Sequence, residues 1–271
     1  MPLARADLES LLRTRKLDHT LTTALPPVHE YAGPYDEHAI GATGVTALDA
    51  RLGGGFPRGQ LSELVGPRSS GRTSLLLHML AAATARGELV ALVDALDMFD
   101  VESGAAAELD LERLLWIRGH VVANPDLCRD VNQRAMEQAV KALTLVLQAG
   151  NFGLVAFDVG EAPPEALRRL PFTTWLRLQR MVEGSQTICV LVGGEPMARS
   201  SAGLTVRVGL RAEAGLRATK KGLGLRAEGL GIRFSGQLFE GLDIDARVIR
   251  ARARVYEDAN VALTTRAAEY A

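Results

Sequence analysis

Eight consecutive residues carry the chemistry of an anion site: Gly66-Pro67-Arg68-Ser69-Ser70-Gly71-Arg72-Thr73. Glycines let a backbone turn tightly enough for several N–H groups to point at one ligand. A helix starting directly behind such a turn adds about half a positive charge. The run fits G-x-x-x-x-G-K-[ST], the loop that cradles nucleotide phosphates, at every fixed position but one. The lysine is replaced by Arg72. Lysine brings a compact ammonium to the outer phosphates, and the closing hydroxyl reaches magnesium. Thr73 keeps the hydroxyl, whereas Arg72 keeps the charge in a longer, planar fork. The loop is therefore expected to bind ATP and magnesium weakly, in a geometry poorly suited to hydrolysis. A plain strand-to-helix turn with chance glycines is the bland alternative.

A second group belongs with the first. Phe152-Gly153-Leu154-Val155-Ala156-Phe157-Asp158 is an apolar run ending in a carboxylate. That placement suits a magnesium ligand facing the loop hydroxyl, so Asp158 is the candidate metal residue. An aspartate after a strand also caps helices. Leu89-Val90-Ala91-Leu92-Val93-Asp94 ends the same way, but Ala95-Leu96 follows and no second acid is there to polarise a water. Cys128, Cys189 and the five histidines show no metal-ligand spacing, so the thiols are expected to be buried or free in a reducing compartment.

These residues need a scaffold. Leu61 to Val65 reads as a strand into the loop, and Ser74 to Ala83, apolar nearly all round, as a buried helix behind it. Downstream, strands at 89–94, 114–117, 152–158, 187–192 and 204–210 alternate with helices at 101–109, 125–148 and 164–182, the last interrupted by Pro171. This alternation predicts an α/β fold with a mostly parallel central sheet flanked by helices. Ligands then sit at the carboxyl ends of the strands, where Thr73, Asp94 and Asp158 all fall. Of the 271 residues, 47% are hydrophobic and 23% charged, which is globular composition, and the net charge of −1 gives no global pull toward nucleic acid or membrane. The start lacks the apolar core of a signal peptide, and no apolar run is long enough to span a bilayer. A cytoplasmic, nucleoid-associated protein is expected.

Several blocks in order resemble the RecA recombinase core. Thr43-Gly44 through Leu48-Asp49 to Leu52-Gly53-Gly54-Gly55 is similar to its pre-loop segment. Gly66 to Gly71 resembles its phosphate loop, Val93-Asp94-Ala95 its second strand, and Phe157-Asp158 its magnesium aspartate. The likeness covers most of residues 40 to 210 and implies a RecA-like P-loop NTPase core. Asp100 matches a nucleotide-site position of that family. Ser103 stands where a tyrosine would stack on adenine, Leu96 where a glutamate would activate water, and Gly193-Gly194 where an Asn-Gln pair would sense the γ-phosphate. The two DNA-binding loops look shortened, to residues 160–164 and 194–201. Losing general-base and charge-stabilising groups costs about 10²-fold in rate apiece, so little turnover is expected. A chain with this core and these departures resembles ImuA-type proteins. The resemblance implies a pseudo-ATPase accessory to DNA-damage-induced (SOS) mutagenesis and translesion synthesis. Its partner would be ImuB, an inactive Y-family polymerase relative, with RecA a further candidate partner whose filament it would limit.

The two ends carry their own signals. Residues 1–38 read as an amphipathic helix with Leu8, Leu11 and Leu12 on one face, followed by a Pro-rich linker. Those leucines pack on their own domain or dock on a partner, as the segment joining RecA protomers does. The core with a C-terminal β extension is expected over 39–256, and a flexible tail over 257–271. Between Arg207 and Arg254, nine arginines and two lysines stand against three glutamates and two aspartates, an excess of six positive charges. Alternation there puts Arg233, Arg247, Arg250 and Arg252 on a solvent face that is a candidate patch for DNA or an acidic partner. Three readings stay open: a non-catalytic RecA-fold adaptor, a working ATPase or recombinase, and an ATP-independent DNA-binding module.

Overall fold

The structure, a computed structural model, describes residues 39–121, 129–211, 232–235, 238–252 and 260–264. The N-terminal helix and linker, with Leu8, Leu11 and Leu12, lie outside the described residues, as do Cys128 and the side chain of Arg233.

A short pair, β1 (Ile40–Gly41) and β2 (Phe56–Pro57), brackets α1 (Thr46–Arg51). Then follow β3 (Gln60–Val65), α2 (Arg72–Ala85), β4 (Val90–Asp94), α3 (Val101–Ala106) and β5 (Leu114–Arg118). Next come α4 (Arg129–Ala149), β6 (Leu154–Gly160), α5 (Pro164–Arg168), α6 (Phe172–Val182) and β7 (Ile188–Gly193). Strands β8 (Leu204–Leu210), β9 (Ile232–Ser235), β10 (Leu238–Ala251) and β11 (Asn260–Thr264) close the chain. The break between α5 and α6 falls at Pro171, whose ring cannot continue a helix.

The main sheet runs β11-β10-β8-β3-β7-β6-β4-β5, with β9 on β10. Strands β8, β3, β7, β6, β4 and β5 are parallel, while β10 and β11 are antiparallel additions at one edge. One face packs Leu48 of α1, Leu52 just after it, and Leu76, Met79 and Leu80 of α2 against the strands. The other face packs Met136, Leu143, Trp175 and Leu178 of α4 and α6. Central strands covered on both sides read as largely apolar runs, and β4 and β7 are buried at every residue. Cys189 sits inside β7, and burial pushes its thiol up to about 12. No described helix is long and apolar enough to cross a membrane.

The C-terminal tail requires a correction. Residues 257–271 read as flexible, but Asn260–Thr264 is a strand paired with β10. Val261 and Leu263 alternate with the exposed Asn260 and Ala262 and bury their side chains, which ties the segment to the sheet.

One ionic group fastens the amino ends of these strands. The Arg58 guanidinium, buried, donates to Glu88 at 2.6 Å and to the Gln186 carbonyl at 2.7 Å. Arg86 Nε reaches the same carboxylate at 2.9 Å. Burial alone would raise the Glu88 pKa, but the two guanidiniums outweigh it and hold the carboxyl below its ordinary value. A group with a lowered folded pKa adds stability above its ordinary pKa and loses it as pH falls through the folded value. Replacing Arg58 by Met should therefore cost about 3 kcal/mol at neutral pH, because a buried carboxylate loses a partner. Urea unfolding should show that cost shrinking below about pH 4, as Glu88 takes up its proton.

Candidate functional site

The site lies at the carboxyl edge of the sheet, where β3 turns into α2. Gly66 continues β3 by donating its N–H to the Gly193 carbonyl at 3.1 Å. Pro67, Arg68 and Ser69 bulge into solvent, and Ser69 has a positive φ of 59°. The chain returns through Ser70, which is buried, and Gly71 caps α2 at a φ of +84°. The first-turn N–H groups of Arg72, Thr73 and Ser74 have no acceptor within their own helix, which is the condition for holding an anion. Thr73 is exposed at this mouth.

Arg72 does not point outward. Its side chain is buried, and it donates to the Gly66 carbonyl at 2.5 Å and to Glu161 Oε1 at 3.2 Å. The guanidinium thus bridges the start of the loop to the turn after β6. Its Nε and the Ser70 hydroxyl are buried without a hydrogen-bond partner. The charge that a lysine would deliver to a phosphate is spent on a backbone carbonyl and a side-chain carboxylate.

Asp158 closes the other side. It pairs in register with Val192 of β7, which pairs in turn with Leu64 of β3, so it lies two strands from the loop and level with its start. Its Oδ1 accepts the Gly160 N–H at 2.7 Å. Burial is the main influence on this carboxyl and pushes it up to about 6, against the pull of Arg72 and of the Gly160 N–H. Asp94, in contrast, ends β4 and holds the turn that follows it. It is buried and accepts the Phe99 N–H at 2.8 Å and the Trp116 indole N–H at 3.4 Å. Asp100 caps α3, accepting the Ser103 N–H at 2.9 Å and its hydroxyl at 2.5 Å. Leu96 is half-buried and lies 3.8 Å from the place a side chain at Gly160 would begin. The site thus presents a methyl group beside the Asp158 turn. Gly193 and Gly194, at and just after the end of β7, contribute no side chain to this edge, and a Cβ at Gly194 would have nothing within 4 Å.

The residues present fit an anion. The open N–H groups of the first helical turn would hold a phosphate group, and Thr73 and Asp158 are the residues that would hold an accompanying magnesium ion. That ion would neutralise phosphate charge. Among the described residues no cluster of three or more metal-ligating side chains occurs.

Two residues at this edge escaped the sequence reading. Glu161 is the acid on which Arg72 closes. Glu63, buried in β3, accepts the N–H groups of Met197 and Ala198 at 2.7 Å each and the Thr205 hydroxyl at 2.8 Å. A charged residue inside Leu61-Ser62-Glu63-Leu64 was a visible signal, because a carboxylate in an apolar strand needs dedicated donors. At the far edge Arg247, Arg250 and Arg252 are exposed, helped by a bulge between Val248 and Arg250. Nearby charges are partly balanced: Arg207 pairs with Glu195 at 2.8 Å and Arg211 with Asp245 at 3.3 Å.

Residues 35–162 match the family model of the RecA N-terminal domain, a span containing the loop, Asp94, Asp158 and Glu161. The core of the chain is RecA-like. RecA of Acholeplasma laidlawii is 36% identical over 134 residues, covering 48% of this chain and 36% of that protein. RecA of Chlorobaculum parvum is 37% identical over 127 residues, covering 46% and 33%. RecA of Chlorobium chlorochromatii is 29% identical over 166 residues, covering 56% and 43%. The chain spans well under half the length of these curated relatives.

Two outcomes check this geometry. A carboxyl whose folded pKa is raised favours folding at low pH and loses that contribution as pH rises past its ordinary value toward about 6. Asp158→Asn should therefore stabilise the protein by about 1 to 2 kcal/mol at pH 7.5 and by almost nothing near pH 4, measured by urea unfolding at both values. Glu63→Gln, which keeps an acceptor for the two N–H groups, should cost under about 1 kcal/mol, whereas Glu63→Leu strands them and should cost about 3.

Proposed function

We propose that this protein is a RecA-fold accessory factor that works by binding other proteins and does not turn over ATP. One observation carries the reading: the Arg72 guanidinium folds back onto Gly66 and Glu161 within the phosphate loop. A loop closed in this way can hold a phosphate through its backbone but offers little stabilisation to charge developing on a transferring phosphoryl group. Leu96 adds to the argument, because a base is also needed. The ImuA-type resemblance supplies the setting: damage-induced mutagenesis and translesion synthesis, with the inactive polymerase relative ImuB as partner. RecA would be a second partner, its filament limited by a core that lacks ATP chemistry. The exposed Arg247, Arg250 and Arg252 favour a second reading, an ATP-independent contact with DNA phosphates.

Calorimetry with magnesium ATP, paired with a turnover assay with and without single-stranded DNA, tests the reading. The native chain should show weak binding and no turnover above background. Arg72→Lys should tighten nucleotide binding about tenfold, because a freed ammonium reaches the phosphates, yet leave turnover absent. DNA-stimulated turnover by the native chain would overthrow the proposal. Purified ImuB and RecA should bind the full chain, and deleting residues 1–30 should weaken RecA binding. Affinity for DNA that does not fall with rising salt would exclude the arginine patch.

A further inference from the structure

The two turns at the carboxyl ends of β6 and β7 enclose a cleft of about 690 Å³ with α5 and α6. It lies beyond the stretch that matches the RecA N-terminal domain, apart from its first residues. Its floor is apolar, built from Leu167, Leu170, Trp175 and Met197. Trp175, Leu170 and Met197 are buried, and Phe172 stands exposed at the mouth. The rim is basic. Arg168, Arg169 and Arg199 line it, and among the described residues none of them pairs with a carboxylate. The two acids on the same rim are already engaged: Glu161 by Arg72 and Glu195 by Arg207.

We infer that this cleft docks a short acidic segment of a partner protein, seating an apolar anchor on the Leu170–Trp175–Met197 floor with its carboxylates on Arg168, Arg169 and Arg199. The assignment rests on the partner-binding reading above and gives that partner a chemistry. Three features carry it. Rim charge and floor polarity together match a chain that alternates acid and apolar side chains. The wall is preformed, because Glu63 holds the N–H groups of Met197 and Ala198 from inside the sheet. Such anchoring lowers the ordering cost of binding. A nucleic-acid strand fits less well. Stacking needs free aromatic faces. Here Trp175 is buried and Phe172 has the Arg199 guanidinium 5.9 Å from its ring centre.

The test uses the full chain and a fluorescein-labelled peptide alternating glutamate and leucine, read by anisotropy. The native protein should bind it, and a version with serine in place of leucine should bind about tenfold more weakly or worse. Arg168→Glu with Arg169→Glu should cost about tenfold or more, and Arg168→Ala alone a smaller but measurable fraction. Unlabelled peptide should change the fluorescence of Trp175, and Trp175→Phe should abolish that change while far-UV circular dichroism stays native. Failure of the peptide to bind, or equal binding by the arginine variants, would overturn the inference. So would a short oligothymidylate that binds through the same arginines in the peptide's stead. ATP turnover in a chain that still binds peptide would overturn the proposed function and leave the cleft assignment standing.

Discussion

The geometry of the carboxyl edge depends on where one guanidinium places its hydrogen bonds. Arg72 sits at the first position of α2, where the helix presents unpaired N–H groups and a positive end. A cation there gains nothing from the helix and must find acceptors elsewhere. A lysine in the same place serves a phosphate. An arginine carries five donors in a rigid fork, and this one spends its two terminal nitrogens on the Gly66 carbonyl behind it and on Glu161 on the next turn. The consequence is structural: β3, the loop, α2 and the turn after β6 become one hydrogen-bonded unit.

Buried charge is used the same way elsewhere in the sheet. Glu88 is held between Arg58 and Arg86 at the amino ends of the strands, and Glu63 by three donors near the carboxyl ends. Neither resembles a reactive group. Glu63 meets no described cation, so its solvation comes from neutral N–H and O–H dipoles supplied by the chain after β7 and by β8. That chain is therefore fixed to the sheet although it contains only one short 3₁₀ turn. Rigid walls around the cleft follow from a carboxylate on the opposite side of them.

How much of this was legible in the sequence varied with the range of the interaction. Alternating apolar strands and helices fix a layered α/β fold because both faces of a parallel sheet must be covered, and β3 to β8 fell where that periodicity placed them. The loop was legible because glycine spacing is local. The direction of Arg72 was not, since Glu161 lies 89 residues away and only the sheet order brings it near. The roles of Asp94 and Asp100 were half legible: both end or follow a strand as a ligand would, yet each is satisfied by N–H groups within a few residues. The strand at Asn260–Thr264 was missed because five residues of alternation carry a weak signal until a partner strand supplies the pairing.

The glycines of the loop show how much of its motif packing alone requires. A Cβ at Gly66 would lie 2.4 Å from the Val208 carbonyl oxygen and 2.6 Å from the Ser70 hydroxyl. A Cβ at Gly71, already at a positive φ, would lie 2.7 Å from Ile244 of β10. Neither clash involves a ligand. The loop is packed against β8 and β10, so side chains are excluded from both positions by the fold itself. At position 72 the course of the side chain decides the outcome, and Arg72 turns back onto Gly66 and Glu161. The constrained positions therefore keep the nucleotide-loop pattern, while the position that decides whether phosphate meets a free charge is the one that differs. A glycine pattern alone measures packing at this corner, and the side chain at position 72 measures chemistry.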